Sequence, residues 1–123
     1  MDEMSNQKIL RILFWLMLGT VLALSLMPPD DAPAVFANDK LNHILAFFIL
    51  SSAARILWSR VNGIILFSML IAFGGAIELL QFAMAFGRDA DWMDFAVDVI
   101  AIVLGILTAQ ALNTIRNQTS IKQ

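Results

Sequence analysis

The sequence contains no cysteine and few charged residues. The absence of cysteine excludes disulfides, thiolate-ligated iron–sulfur clusters and a cysteine nucleophile. Only 15% of the 123 residues are charged, against about 25% in soluble domains, and no run of Lys and Arg suggests nucleic-acid binding. By contrast, 59% of the residues are hydrophobic. A soluble domain of this size could not hide so much apolar surface from water, which indicates that a bilayer is the solvent.

Four apolar segments are each close to the ~20 residues that a helix needs to cross a bilayer. They run approximately over residues 9–27, 41–58, 63–86 and 92–112. The connections between them are short, which predicts neighbouring helices of opposite direction. The sequence therefore predicts an all-α fold: a single integral-membrane domain over residues 1–123, built as an up-down-up-down four-helix bundle.

Helix ends and the first segment can also be assigned from the sequence. Either Asn38 or Asp39 is expected to cap the second helix, and Asp89 or Asp91 the fourth; Gly87 is expected to close the third. The first segment follows basic residues and precedes a site resembling a signal-peptidase site at residues 34–37. Its apolar core is long for a signal peptide, so we expect a retained helix.

The basic residues predict the orientation of the bundle. Lys and Arg are retained on the cytoplasmic side of a membrane, so both termini are predicted to be cytoplasmic, with the loops at 28–40 and 87–91 outside. The basic residues at the predicted cytoplasmic end are Lys8, Arg11, Arg55, Arg60, Arg116 and Lys122, whereas Lys40 and Arg88 lie at the other end.

Ionisable residues converge on the predicted outer half of the bundle. Residues three or four apart share a helix face, and at ~1.5 Å per residue Glu78 and Asp98 lie at similar depth, with His43 nearer the helix ends. A carboxylate facing lipid costs at least ~2.5–3.5 kcal/mol, so we predict that Glu78 and Asp98 face each other or a polar cavity. The candidate binding residues are Asp39, Lys40, His43, Glu78, Gln81, Arg88, Asp91, Asp94 and Asp98.

Several of these residues also have a purely structural interpretation. Asp39 and Asp91 are equally suited to cap helices, and Lys40 to extend its ammonium to the membrane interface. His43 is also suited to a packing role, and Arg88 to clamping the nearby acids. The structural interpretation is weakest for Glu78 and Asp98.

Small residues continue along the same face of the fourth helix. Ala101, Gly105 and Ala109 are spaced four residues apart. Small residues at this spacing allow helix backbones to approach closely in a membrane, which predicts tight packing towards the cytoplasmic side.

The motifs resemble those of the VanZ-like family of small bacterial membrane proteins, named for a member associated with resistance to the glycopeptide teicoplanin. The family pattern is Asp-Lys-x-x-His, then Glu-x-x-Gln, then Arg-x-x-Asp-x-x-Asp, which corresponds here to residues 39–43, 78–81 and 88–94. Asp98 stands where the family usually carries Asn, and Ala101 where Gly is common, while Gly105 is kept. The resemblance implies a multi-pass protein of the bacterial cytoplasmic membrane with a shared polar site.

Three functions are compatible with this pattern. The first is binding of an amphipathic molecule, such as a lipid-linked cell-wall intermediate or an antibiotic's lipid tail, with Lys40, His43 and Arg88 meeting a phosphate. The second is a metal-assisted enzyme acting on a lipid head group, with a buried carboxylate as general base; the third is proton- or cation-coupled transport. No recognised metal-binding spacing is present, so neither a cofactor nor catalysis is assigned, and homo-oligomerisation stays open. The candidate metal ligands are His43, Glu78, Asp94 and Asp98.

Overall fold

The computed structural model describes residues 2–28, 30–33, 35–84 and 91–123. These residues form four α-helices and no strand: α1 (Glu3–Leu26), α2 (Asp39–Leu57), α3 (Gly63–Met84) and α4 (Trp92–Ile121). All four helices are long and apolar enough to cross a membrane. The prediction of an all-α chain with four candidate membrane spans is confirmed for the part of the chain described. The suggested cap residues Gly87 and Asp89 lie outside it.

Helices α1 and α4 extend furthest beyond the apolar segments that predicted them. Helix α1 begins at Glu3 rather than near residue 9, because the Asp2 carboxylate caps it and accepts a hydrogen bond from the Ser5 N–H at 2.8 Å. Helix α4 continues past residue 112 to Ile121. Its last turns are polar but contain neither proline nor glycine, so no residue in them interrupts the backbone hydrogen bonds.

The two helices that carry most of the ionisable residues begin at side-chain caps. Asn38, rather than Asp39, caps α2, and its Oδ1 accepts a hydrogen bond from the Lys40 N–H at 2.9 Å. Asp91 caps α4, and its Oδ1 accepts from the Met93 N–H at 2.9 Å. These caps satisfy amides that a helix leaves free at its first turn. They also fix where the first side chains of α2 and α4 lie.

Helices α2 and α4 form the most extensive contact of the bundle. The small residues Ala101, Gly105 and Ala109 of α4 are all buried, as the sequence predicts. Two serines of α2 contact the backbone of α4 at these positions. The Ser51 hydroxyl donates to the Ala101 carbonyl at 3.5 Å, and the Ser52 hydroxyl donates to the Gly105 carbonyl at 3.2 Å. Small side chains bring the two backbones close enough for these contacts.

One apolar core joins all four helices, and most other large apolar side chains face outwards. The outward-facing set includes Trp15, Leu79 and Phe82, far more apolar surface than a water-soluble monomer exposes. This distribution fits helices whose outer faces meet lipid. The buried apolar residues are Phe14, Phe47, Leu50, Ala54, Leu66, Leu70, Ile77, Ala101, Ile102 and Ala109.

Two arginines form hydrogen bonds between helices at the end of the bundle that lies opposite the acidic residues. The Arg55 guanidinium donates to Gln110 Oε1 at 2.6 Å and to the Val61 carbonyl at 2.7 Å. Arg11 donates to the Leu57 carbonyl at 3.3 Å. These contacts join the start of α1, the end of α2 and the middle of α4, so the basic residues also have a structural role.

Candidate polar site between α2, α3 and α4

The centre of the candidate site is a buried pair formed by His43 of α2 and Asp98 of α4. His43 Nδ1 lies 3.0 Å from Asp98 Oδ1, and the two residues are 6% and 0% exposed. The His43 ring is parallel to the Phe47 ring one turn further along α2. The α2 helix therefore holds the imidazole in a fixed direction, towards α4.

Glu78 of α3 completes this centre. One carboxylate or imidazole atom from each of His43, Glu78 and Asp98 lies within 4.8 Å of the others. Glu78 Oε2 accepts a hydrogen bond from the Asp91 N–H at 3.0 Å, which ties α3 to the start of α4. Glu78 and Asp98 thus face each other inside the bundle, as their matching depths predict.

The helix bounds agree with the predicted position of His43, nearer the helix ends than the two acids. His43 lies about 6 Å into α2, which begins at Asp39, and Asp98 lies about 9 Å into α4, which begins at Trp92. The His43 side chain spans this difference, because its Nδ1 reaches Asp98 Oδ1.

Lys40 forms the second layer of the site, at the helix ends. Its ammonium donates to Asp91 Oδ2 at 2.8 Å and to Asp94 Oδ1 at 2.9 Å. Asp94 is largely buried, whereas Asp91 is nearly half exposed. The ammonium thus lies between Asp91, the cap of α4, and Asp94 of α4 itself, and the two carboxylates occupy two of its three N–H donors.

Asp39 lies beside the other edge of the imidazole. Its Oδ2 is 3.7 Å from His43 Nε2, and its side chain is half exposed. His43 therefore has a carboxylate opposite each ring nitrogen, one buried and one near the surface. Asp39, His43 and Asp94 form a second group whose ligand-type atoms lie within 4.8 Å of one another.

Acid should weaken the Lys40–Asp91 ion pair. The hydrogen bonds from Lys40 and from the Met93 N–H lower the pKa of the Asp91 carboxyl below its ordinary value of about 3.9. A lowered pKa contributes stability above the unfolded-state pKa, and this stability is lost as the pH falls through the folded-state pKa. We expect Asp91→Asn to melt below the wild type at neutral pH, and the gap to close well below about pH 3.9.

Thermal unfolding followed by circular dichroism over a pH series measures this gap. Asn is as good a helix cap as Asp, so the substitution removes the charge and keeps the cap. A gap that does not change with pH would contradict an ion-pair contribution from Asp91.

Gln81 does not join this site, although it is three residues from Glu78. It is buried, and its Nε2 donates to the Ser25 carbonyl of α1 at 2.8 Å. The sequence spacing predicts that Gln81 lies in the site with Glu78. This placement is wrong, because Gln81 instead forms a hydrogen bond that joins α3 to α1. Arg88 lies outside the described residues.

Two cavities adjoin the buried centre. A groove of about 490 Å³ opens between α3 and α4, and a pocket of about 90 Å³ lies between α1 and α2 beside Asp39 and His43. Sequence reasoning missed the groove because its apolar residues have the same spacing as lipid-facing ones. The groove is lined by Gly75, Glu78, Leu79, Phe82, Asp91, Trp92 and Phe95.

Negative groups outnumber positive groups among the described site residues. One ammonium, Lys40, and one imidazole, His43, meet five carboxyl groups. Such a site suits cations or hydrogen-bond donors better than it suits a bare anion. The carboxyl groups are those of Asp39, Glu78, Asp91, Asp94 and Asp98.

The chain was also compared with known proteins. No protein-family model, no curated protein and no solved structure matches it.

Proposed function

We propose that the chain is a VanZ-like protein of the bacterial cytoplasmic membrane that binds an amphipathic envelope molecule near the extracytoplasmic face. A lipid-linked cell-wall intermediate or an acylated antibiotic fits this description, and the role would resemble glycopeptide resistance. The observation that carries the proposal is the groove between α3 and α4, which is lined mainly by apolar residues together with two carboxylates.

The shape and chemistry of the groove suit such a ligand. Its volume of about 490 Å³ lies within the ~300–1,000 Å³ of typical small-molecule sites. Leu79, Phe82 and Trp92 supply apolar walls and are themselves largely exposed towards the surrounding lipid. An acyl chain can therefore enter sideways from the bilayer without crossing a polar barrier.

The two carboxylates of the groove constrain the head group. Glu78 and Asp91 line the groove, and both are hydrogen-bond acceptors when ionised. Among the described residues, these acceptors favour a head group that carries hydroxyl, amide or ammonium donors. This refines the expectation from the sequence, in which Lys40 was a candidate phosphate ligand.

The membrane arrangement is part of the same proposal. The polar contacts join the starts of α2 and α4 to each other, and the ends of α1 and α3 to each other. This pattern supports helices that alternate in direction, and the positive-inside rule supports cytoplasmic termini. The groove carboxylates, Glu78 and Asp91, would then lie towards the extracytoplasmic side.

Groove filling tests the proposal in a susceptible bacterial host that lacks the protein. Expression of the wild type is expected to raise the minimum inhibitory concentration of teicoplanin, which carries an acyl tail, more than that of a glycopeptide without one. Gly75→Leu should abolish this protection. Gly75 lines the groove, and a Cβ there would lie 3.7 Å from the Phe95 ring, an ordinary contact, so the backbone has room for a side chain at this position.

Ala72→Leu is the matched control, because it adds an apolar side chain to an exposed position one turn earlier on α3. It should protect as well as the wild type, at equal membrane abundance. Equal protection by Gly75→Leu, or equal effects on both glycopeptides, would refute binding of a lipid tail in the groove.

A further inference from the structure

We propose that His43, Glu78 and Asp98 bind a divalent metal cation inside the bundle. The proposal goes beyond ligand binding in the groove and does not depend on it. Its basis is the convergence of one imidazole and two carboxylates from three different helices, with ligand-type atoms within 4.8 Å of one another.

The spacing of the donor atoms matches a coordination sphere. Ligands about 2.1 Å from a metal stand about 3.0 Å apart when they occupy adjacent octahedral positions. His43 Nδ1 and Asp98 Oδ1 lie 3.0 Å apart. A donor atom of Glu78 lies within 4.8 Å of the other two, and its side chain would move closer to share the same centre.

Buried oxygens without partners point independently to a ligand. Among the described residues, Asp98 Oδ2 and Glu78 Oε1 are buried and have no hydrogen-bond partner, and Asp98 is completely buried. Leaving a carboxylate oxygen in this state costs several kcal/mol unless a proton or a cation compensates it. A cation bound between the two carboxylates would compensate the charge of both.

The charge of the group favours a dication. Two carboxylates and a neutral imidazole carry two negative charges, which a divalent ion neutralises within the low-dielectric bundle. Coordination through His43 Nδ1 would leave the Nε2–H directed at Asp39 Oδ2, 3.7 Å away. A carboxylate behind the second ring nitrogen is the usual support for a metal-bound histidine.

The outer group of Asp39, His43 and Asp94 is a poorer site. The Lys40 ammonium lies 2.9 Å from Asp94 Oδ1, where it would repel a cation and already satisfies the oxygen. Asp39 is half exposed, so water competes for its carboxylate. No Lys or Arg side chain is in hydrogen-bond contact with Glu78 or Asp98 in the part of the chain that the structure describes. The ion is therefore assigned to the inner group.

The donor set narrows the choice of ion. One imidazole with two carboxylates suits Mn²⁺ and Zn²⁺, whereas Ca²⁺ prefers oxygen donors alone. Mn²⁺ is the practical probe because free and bound ions differ in their paramagnetic resonance spectra. The full chain, purified in detergent and freed of any affinity tag, is the sample.

Titration with Mn²⁺ is expected to show saturable binding of one ion per chain, displaced by Zn²⁺. Asp98→Asn and Glu78→Gln should each weaken binding by more than about tenfold, since loss even of a supporting partner costs about 10–100-fold. Asp31→Asn, the same chemical change in an exposed loop, should leave the affinity unchanged.

Each alternative result has a definite meaning. An absence of saturable binding in the wild type, or unchanged affinity in both Asp98→Asn and Glu78→Gln, would overturn the proposal. Loss of binding in Asp39→Asn but not in Asp98→Asn would overturn it in favour of the outer group. Circular dichroism establishes folding, and if Asp98→Asn does not fold, Glu78→Gln decides.

Discussion

Replacing Gly105 by alanine is expected to destabilise the bundle by about 1–3 kcal/mol, the usual cost of overpacking a tight interface. A Cβ at this position would lie 2.7 Å from the Phe48 carbonyl oxygen of α2 and would also overlap the Ser51 hydroxyl. The hydroxyl can rotate, but the carbonyl belongs to the helix backbone. The two helices must therefore separate, and the hydrogen bond from Ser52 to the Gly105 carbonyl would lengthen.

Gly19→Ala is the matched control for this prediction. Gly19 lies within α1, and among the described residues no atom beyond its chain neighbours and its own helix backbone is within 4 Å of where its Cβ would be. Alanine is favoured over glycine in a helix interior by about 0.5–1 kcal/mol, so Gly19→Ala should be at least as stable as the wild type. Denaturant titration in detergent, followed by circular dichroism, measures both. Similar losses in both variants would show that Gly105 has no special packing role.

Gly105→Ala should also affect the polar site. Gly105 lies two turns from Asp98 on the same helix, about 10 Å away along the axis, and α2 carries both Phe48 and His43. An alanine side chain that pushes these two helices apart would lengthen the His43–Asp98 contact. Gly105→Ala should therefore also weaken Mn²⁺ binding, although it changes no candidate ligand.

The fold was largely predictable from the sequence, because hydropathy over about 20 residues decides whether a helix can cross a bilayer. The burial of Ala101 and Gly105 was predictable for a related reason, since helix packing in lipid depends on small residues. The approach of Glu78 to Asp98 followed from the cost of an acid in contact with lipid. These inferences need only burial and depth.

The detailed pairing was not predictable, because it depends on how each helix is rotated. Residues three apart stand about 60° apart around a helix axis. At a position where helices meet, that angle is enough to direct Glu78 towards α4 and Gln81 towards α1. For Lys40, the sequence allowed either an interfacial or a site position, and only the spacing of α2 and α4 selects its two carboxylate partners.

Truncating His43 to alanine is expected to cost about 3–5 kcal/mol, as is typical when one member of a buried pair is removed. His43 Nδ1 is the hydrogen-bond partner of Asp98 Oδ1 at 3.0 Å, and Asp98 Oδ2 has none. After truncation, both oxygens of a fully buried carboxylate would lack a partner among the described residues. Equilibrium unfolding in detergent, without added metal, measures the loss.

A double-mutant cycle separates the pair from the packing of its members. His43→Leu combined with Asp98→Leu removes both polar groups and fills their space, and such replacements are often neutral or stabilising. We expect the double variant to be more stable than His43→Leu alone, so that the two effects are far from additive. Additive losses would show that His43 and Asp98 do not interact.

A stable double variant without metal affinity would distinguish function from folding. A polar pair that contributes less stability than two leucines has no structural reason to be in the middle of a bundle, because apolar side chains would pack there at lower cost. The presence of this polar pair would then be explained by the ligand that it binds. If the double variant were instead much less stable than the wild type, the His43–Asp98 pair would stabilise the packing of α2 against α4. Evidence for a functional role would then have to come from Mn²⁺ binding alone.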